Sequence, residues 1–413
     1  MSEMGLKAIK AGRLIDGTGA APIENATVIV ENAKIKAVGQ DVAVPKEAQV
    51  IDAIDKTVMP GMIDAHMHFW GTRADDTYGD EVERPMGVRL VKAVFDAKDF
   101  LKAGFTTVKD CGGMNGVFLK KAAQEGILDG VPRILASGVP LNPTSGNPYP
   151  YMPAEYVDAR TSKLAGQQGG QAVLCDGVDE CIKAVRYNLS QGADFIKIWG
   201  AGESKFNPDE LKAIVQSAAE LDKFVTIHCG SKRVAQSAIR AGIKTIDHAV
   251  DVDEETVEMG NKAGVIFVST LVCMQSLVEY ANKLIDPLHG PEWAQGMREK
   301  MSQSYRTIRK FGGILAIGTD AGGEKLVEKL GGSAAELELL MRFCDFTPAE
   351  SIMAATKNAA LACFMGDKTG TIEPGKFADI IVVDGDPLAD IKILQDREKI
   401  KMVMLEGKVE IER

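Results

Sequence analysis

Apolar and polar residues alternate with a period of two through LKAIKAGRLID, NATVIVEN, AKIKAVG and AQVIDA, with Gly, Asn and Pro between them. Successive side chains on a strand face opposite sides, so the alternation predicts short strands joined by turns in a small antiparallel unit. Near the other end, ADIIVVDGD and IKMVMLEGKVEI repeat the pattern. Two β-rich ends around a different middle predict one small β-sandwich domain built from residues 1–56 and 366–413. Residues 57–365 would form the central domain.

In that middle the apolar runs are continuous rather than alternating, as in strands covered on both faces: VMPGMIDAHMHF, TTVKDCG, RILASGV, DFIKIWG, FVTIHCG, TIDHAV, VIFVST and ILAIGTD. Helical patterns such as GVRLVKAVFDAKDFLKAG, PDELKAIVQSAAELD and SKRVAQSAIRAG separate them. Eight such strands with crossover helices predict an α/β fold, a (β/α)8 TIM barrel with its chemistry at the C-terminal strand ends. A doubly wound sheet would also alternate, but no GxGxxG follows the first strand. Residues 140–178, rich in Pro, Gly and Gln, and residues 271–300 are longer than a connection needs, and are expected to form loops over the barrel mouth.

Length and composition narrow the class. The chain has 413 residues, 45% hydrophobic and 26% charged, which suits a soluble barrel with a minor domain. A net charge of −10 argues against nucleic acid or an anionic membrane as partner and leaves a small molecule. The N-terminal stretch lacks the apolar core of a signal peptide, and no run is long enough to span a bilayer. Seven cysteines form no CxxC pair. Reduced thiols in a cytoplasmic protein are therefore expected.

Histidine carries the chemistry. There are five, and His66, His68, His228 and His248 all lie beside predicted strand ends. His66 and His68 are two apart in PGMIDAHMHFWG, so they project together and could chelate one ion; two structural histidines would fit the bare pair as well. His228 ends the fifth predicted strand, His248 the sixth, and Asp320, in ILAIGTDAGG, the eighth. In a barrel these ends converge on one mouth. Lys197, in ADFIKIWG, supplies the fourth strand, amid apolar neighbours where an ammonium is costly. It could snorkel to the rim. Unprotonated beside two dications, it could instead take up CO2 as a carbamate, an anionic bridge with two oxygens.

Together these residues resemble the amidohydrolase superfamily, and the resemblance extends through GRLIDGTG, AGFTTVKDCGG, AATKNAA and GTIEPGKFADIIVVDGDPL over nearly the whole chain. The prolidase-like and imidazolonepropionase-like branch is most similar, and Lys197 leans toward its binuclear, prolidase-like members. The resemblance implies a cofactor of two divalent ions, zinc by default. His66, His68 and Asp320 would hold the more buried ion, and His228 and His248 the other. A carboxylated Lys197 and a hydroxide would bridge them. It also implies catalytic roles: Asp320 relays the proton from attacking water to the leaving nitrogen, and His248 helps to polarise the scissile carbonyl. Relatives are often homo-oligomers.

One departure affects substrate choice. Prolidase-like relatives carry a histidine shortly after the eighth-strand aspartate, whereas here the chain reads GGEKLVEKLGG. Glu324 or His289 is the candidate replacement. Arg73 could meet a substrate carboxylate, and Tyr149, Tyr151 and Tyr156 could stack on a ligand, though lid packing explains the tyrosines equally. The expected substrate is a dipeptide or N-acyl amino acid. A carbamate, urea, lactam or ester is the alternative, and an inactive scaffold the reading from another class.

Overall fold

The computed structural model describes residues 5–71, 84–144, 146, 172–199, 205–280, 290–322, 328 and 331–413. The alternating N-terminal segments form β1 (Leu6–Leu14), β2 (Ile23–Glu31), β3 (Lys34–Gly39) and β4 (Gln49–Pro60). The central strands are β5 (Met62–Met67), β6 (Phe105–Asp110), β7 (Arg133–Ala136), β8 (Leu141–Asn142), β9 (Val173–Leu174), β10 (Ile196–Ile198), β11 (Val225–His228), β12 (Thr245–Asp247), β13 (Ile266–Ser269) and β14 (Ile314–Ile317). β15 (Ile380–Val383), β16 (Ile400–Leu405) and β17 (Lys408–Glu412) follow.

Both ends of the chain share one seven-stranded sheet, in the order β17-β16-β15-β4-β1-β2-β3. Its core is the inward half of each alternating pattern, including Ile9, Val28, Val30, Val58, Ile380, Val382 and Met404. The sheet is mixed rather than wholly antiparallel, because β1 runs parallel to β4. The expected strand VMPGMIDAHMHF is in fact two. Val58, Met59 and Pro60 pair with β15, and the second strand starts at Met62.

The middle of the chain is α/β. A parallel sheet of seven strands runs β14-β13-β12-β11-β10-β8-β9, and β5-β6-β7 form a second parallel sheet. Backbone bonds link the two. The amides of Thr319 and Asp320 both donate to the His66 carbonyl at 2.8 Å, and the Asp194 amide donates to the Ala136 carbonyl at 2.7 Å. Gly318 permits the first approach, since a Cβ there would lie 2.6 Å from the His66 Cβ. The three helical patterns quoted above appear as Met86–Lys102, Pro208–Ala219 and Lys232–Ala241. The Pro208–Ala219 helix begins with a capping box in which the Asn207 side chain accepts from the Glu210 amide and the Glu210 side chain accepts from the Asn207 amide. Among the described residues no helix is long and apolar enough to cross a membrane.

Candidate functional site

β5, β10, β11, β12 and β14 each deliver one or two polar groups, from the strand or just beyond it, to a single buried cluster. On β5 and just beyond it, His66 and His68 face the same way, their rings 5.2 Å apart. His248 follows β12, with its ring 4.6 Å from that of His66 and 4.2 Å from that of His228. Asp320, beyond β14, places an oxygen 3.3 Å from His66 Nε2 and 3.0 Å from His68 Nε2. His66, His68 and Asp320 each offer a ligand atom, all within 4.8 Å of one another. Lys197 in β10 is buried and ion-paired with Asp247, which in turn lies 3.0 Å from His66 Nδ1.

Two of these residues leave their strands in a conformation that side chains resist. His248 has φ 66° and Asp320 φ 57°, in the left-handed region where a Cβ costs energy. Surrounding contacts hold them there. The His68 ring stacks on Trp70, with centroids 4.3 Å apart. Asp64 joins β5 to the end of β14, accepting from the His66 amide at 3.1 Å and the Thr319 hydroxyl at 2.6 Å. Burial pushes the Asp64 carboxyl up to about 7. At His248, Nδ1 is 2.8 Å from the Thr270 hydroxyl, and the buried Tyr305 hydroxyl donates to its carbonyl at 2.8 Å. With the proton on Nδ1, the Nε2 lone pair is free to ligate.

The electrostatics suit a cation. Burial lowers His68 to about 4; burial and then the Lys197 charge lower His228 to about 3. Burial and the neighbouring His228 push His248 well down. Shifted this way, these imidazoles favour the neutral form that can ligate a metal. Burial works against ionised Asp320, yet the adjoining His66 and then His68 imidazoles hold it well below the usual carboxylate range. His66 differs: burial opposes its proton, but Cys111, with Lys197 opposing, and then Asp247 raise it well above an ordinary imidazole. A divalent ion would supply the positive charge that this proton provides. Both His66 ring nitrogens and His68 Nδ1 are buried without a hydrogen-bond partner, despite the nearby carboxylates. Orphaned imidazole nitrogens beside an ionised carboxylate fit a metal centre.

All six expected metal ligands are therefore close together. The expected substrate contacts Arg73, Tyr149, Tyr151, Tyr156, His289 and Glu324 lie outside the described residues. Residues that the sequence reading passed over include Asp247, Lys109, Thr270, Tyr305 and Cys111, the last of which groups with His66 and Asp247. The signal for Lys109 was present. It is a lysine inside the apolar strand FTTVKDCG, as Lys197 is inside its own.

One consequence concerns Tyr305. Tyr305→Phe deletes the bond that holds the His248 carbonyl while keeping the ring. It should lower metal affinity about 10- to 100-fold, the usual cost of losing a supporting contact to a ligand. Metal titration of the variant checks this, and an unchanged affinity would show that His248 needs no such support.

Residues 57–409 match the amidohydrolase family. Ochratoxinase from Aspergillus niger is 31% identical, over 97% of this chain and 86% of that protein. Its crystal structure superposes with a TM-score of 0.87 at 28% identity, covering 99% of this chain and 96% of the other. A prolidase complexed with n-methylphosphonate-l-proline gives 0.85 at 26% identity, covering 99% and 100%. Imidazolonepropionase from Thermoplasma volcanium is 23% identical, over 95% of this chain and 92% of that protein. With this match and the strand-end cluster in place, the chain belongs to the amidohydrolase family.

Proposed function

We propose that this amidohydrolase cleaves the amide bond of a dipeptide or N-acyl amino acid at a binuclear centre bridged by a carboxylated Lys197. The observation that carries the reading is the convergence of His66, His68, Lys197, His228, His248 and Asp320 on one buried cluster. His66, His68 and Asp320 would hold one ion, His228 and His248 the other, and the Lys197 carbamate both. Zinc suits imidazole and carboxylate donors. When bound, such ions activate water near neutral pH and polarise a carbonyl. The protein's own groups do the rest. Asp320, ionised in place, accepts the proton of the attacking water and passes it to the leaving nitrogen. His248, held by Thr270 and Tyr305, would help to polarise the carbonyl.

In this reading β5–β7 and β10–β14 form one closed eight-stranded barrel within 57–365, with the short strands β8 and β9 outside the count, and the backbone bonds from Thr319, Asp320 and Asp194 support it. In the same reading the seven-stranded terminal sheet curls into a sandwich, and its separate core supports this. The names ochratoxinase and prolidase support an amide substrate. The missing histidine after Asp320 favours a second reading, a carbamate, urea, lactam or ester. Metal-loaded protein screened against dipeptides, N-acyl amino acids, aryl carbamates and lactones separates them. Turnover confined to carbamates or lactones would replace the amide assignment. Inertness throughout, with no metal bound, would favour an inactive scaffold.

A further inference from the structure

We infer that Lys109 is a positioning residue for the metal centre: it takes charge of Asp247 when Lys197 becomes a carbamate. This rests on the binuclear reading above and concerns a residue which that mechanism does not use.

Lys109 sits in β6, fully buried, and its ammonium has no hydrogen-bond partner. Such a group is costly unless something compensates it. Two aromatic faces contribute, with Phe195 and Phe224 ring centroids 5.2 and 5.9 Å away. Among the described residues, the carboxylate paired with it is Asp247, whose Oδ1 is 3.9 Å from Nζ. Asp247 already holds Lys197 through its other oxygen, accepts from the Thr226 hydroxyl and lies against His66. One buried carboxylate is thus shared by two lysines, close to one and loose to the other.

Carboxylation reverses one side of this arrangement. The Lys197 ammonium first gives one proton to solvent; the amine then forms one N–C bond to CO2 as one C=O π bond opens onto oxygen, and a second N–H proton leaves to solvent. The side chain goes from one positive charge to one negative charge. Asp247 then faces an anion where it had a cation, in a buried setting where repulsion is strong. Among the described residues, Lys109 is the other lysine beside it. Closing from 3.9 Å to hydrogen-bond distance requires a movement of about 1 Å. Lys197 is thereby released toward the histidines, and Asp247 stays paired. Lys109 touches neither metal nor substrate in this scheme.

The test compares wild type with Lys109→Met, Lys109→Arg and the double variant Lys109→Met/Asp247→Asn, each loaded with zinc and 13C-bicarbonate. Metal content, the 13C carbamate signal and thermal melting are read together. Lys109→Met should bind zinc about 10- to 100-fold more weakly and show a diminished carbamate signal. Lys109→Arg should stay near wild type, and the double variant should recover most of the loss, because the charge that needs balancing is gone. A Lys109→Met protein that keeps metal and carbamate at wild-type levels would overturn the inference. So would a loss that the double variant fails to recover, since Lys109 would then be packing alone. If Lys109→Met does not fold, a double variant that folds and binds zinc supports the pairing; one that also fails to fold overturns it. Wild-type protein holding zinc with no carbamate signal would refute the binuclear reading itself, a separate outcome.

Discussion

Lys197→Ala should lose metal and lower kcat/KM on an amide substrate by about 10³-fold or more, since both stabilisation of the reacting charge and water activation depend on the centre. The lysine is buried in β10 between Ile196 and Ile198, and alanine leaves the strand itself unchanged in register. What it deletes is the only nitrogen on this strand able to become an anionic bridge. An ordinary ion-pair lysine makes a different prediction. Asp247 would then lose a buried partner, costing about 3–5 kcal/mol of stability, while the histidines kept their metal. Elemental analysis beside a melting curve separates the two results. A small carboxylate such as acetate, or added bicarbonate, should partly restore metal or activity to the variant by filling the vacated space. An unmodified lysine beside two bound ions would sink the carbamate.

Asp320→Asn is expected to lower kcat by about 10²- to 10⁴-fold, the range for losing a proton-transfer group. Asparagine tolerates the left-handed backbone that Asp320 adopts at φ 57°, so the fall would not come from refolding of the strand end. It keeps an oxygen near His66 and His68 and surrenders the charge. Metal should therefore be weakened rather than lost, and KM should change much less than kcat. Measuring kcat, KM and metal content on one preparation decides the matter. A kcat within a few-fold of wild type would remove Asp320 from proton transfer.

The candidate ligands were legible because strand ends have a grammar. HxH places two side chains on one face, and histidines or an aspartate at the ends of successive strands converge when the sheet curves. Lys197 was legible because a charge in an apolar strand demands a reason. Lys109 met the same criterion, one residue before the end of β6, but the expected ligand set was already complete without it. Asp247 was hidden by its neighbour. On a regular strand adjacent side chains point to opposite faces, so a pattern that brings His248 to the mouth turns Asp247 away; the turn to positive φ at His248 lets both reach the cluster. Thr270 and Tyr305 carry no local mark, since their role exists only where β13 and the helix Pro291–Lys310 meet His248. The break at Gly61 was equally silent, because Pro60 and Met62 are both buried and only long-range pairing assigns them to different sheets.

That pairing sets a schedule for synthesis. β4 takes β15 as its antiparallel neighbour, with Pro60 opposite Ile380. Roughly 320 residues separate them, and at about 5–20 residues per second the ribosome needs roughly 16–64 s to cover that distance. Throughout that interval the nascent chain presents Val58 and Met59 with an unpaired backbone edge, the kind of surface that recruits other strands. Chaperone dependence should therefore concentrate on the interval before β15 emerges, and substitutions that slow translation ahead of residue 380 should cost yield without touching the metal centre.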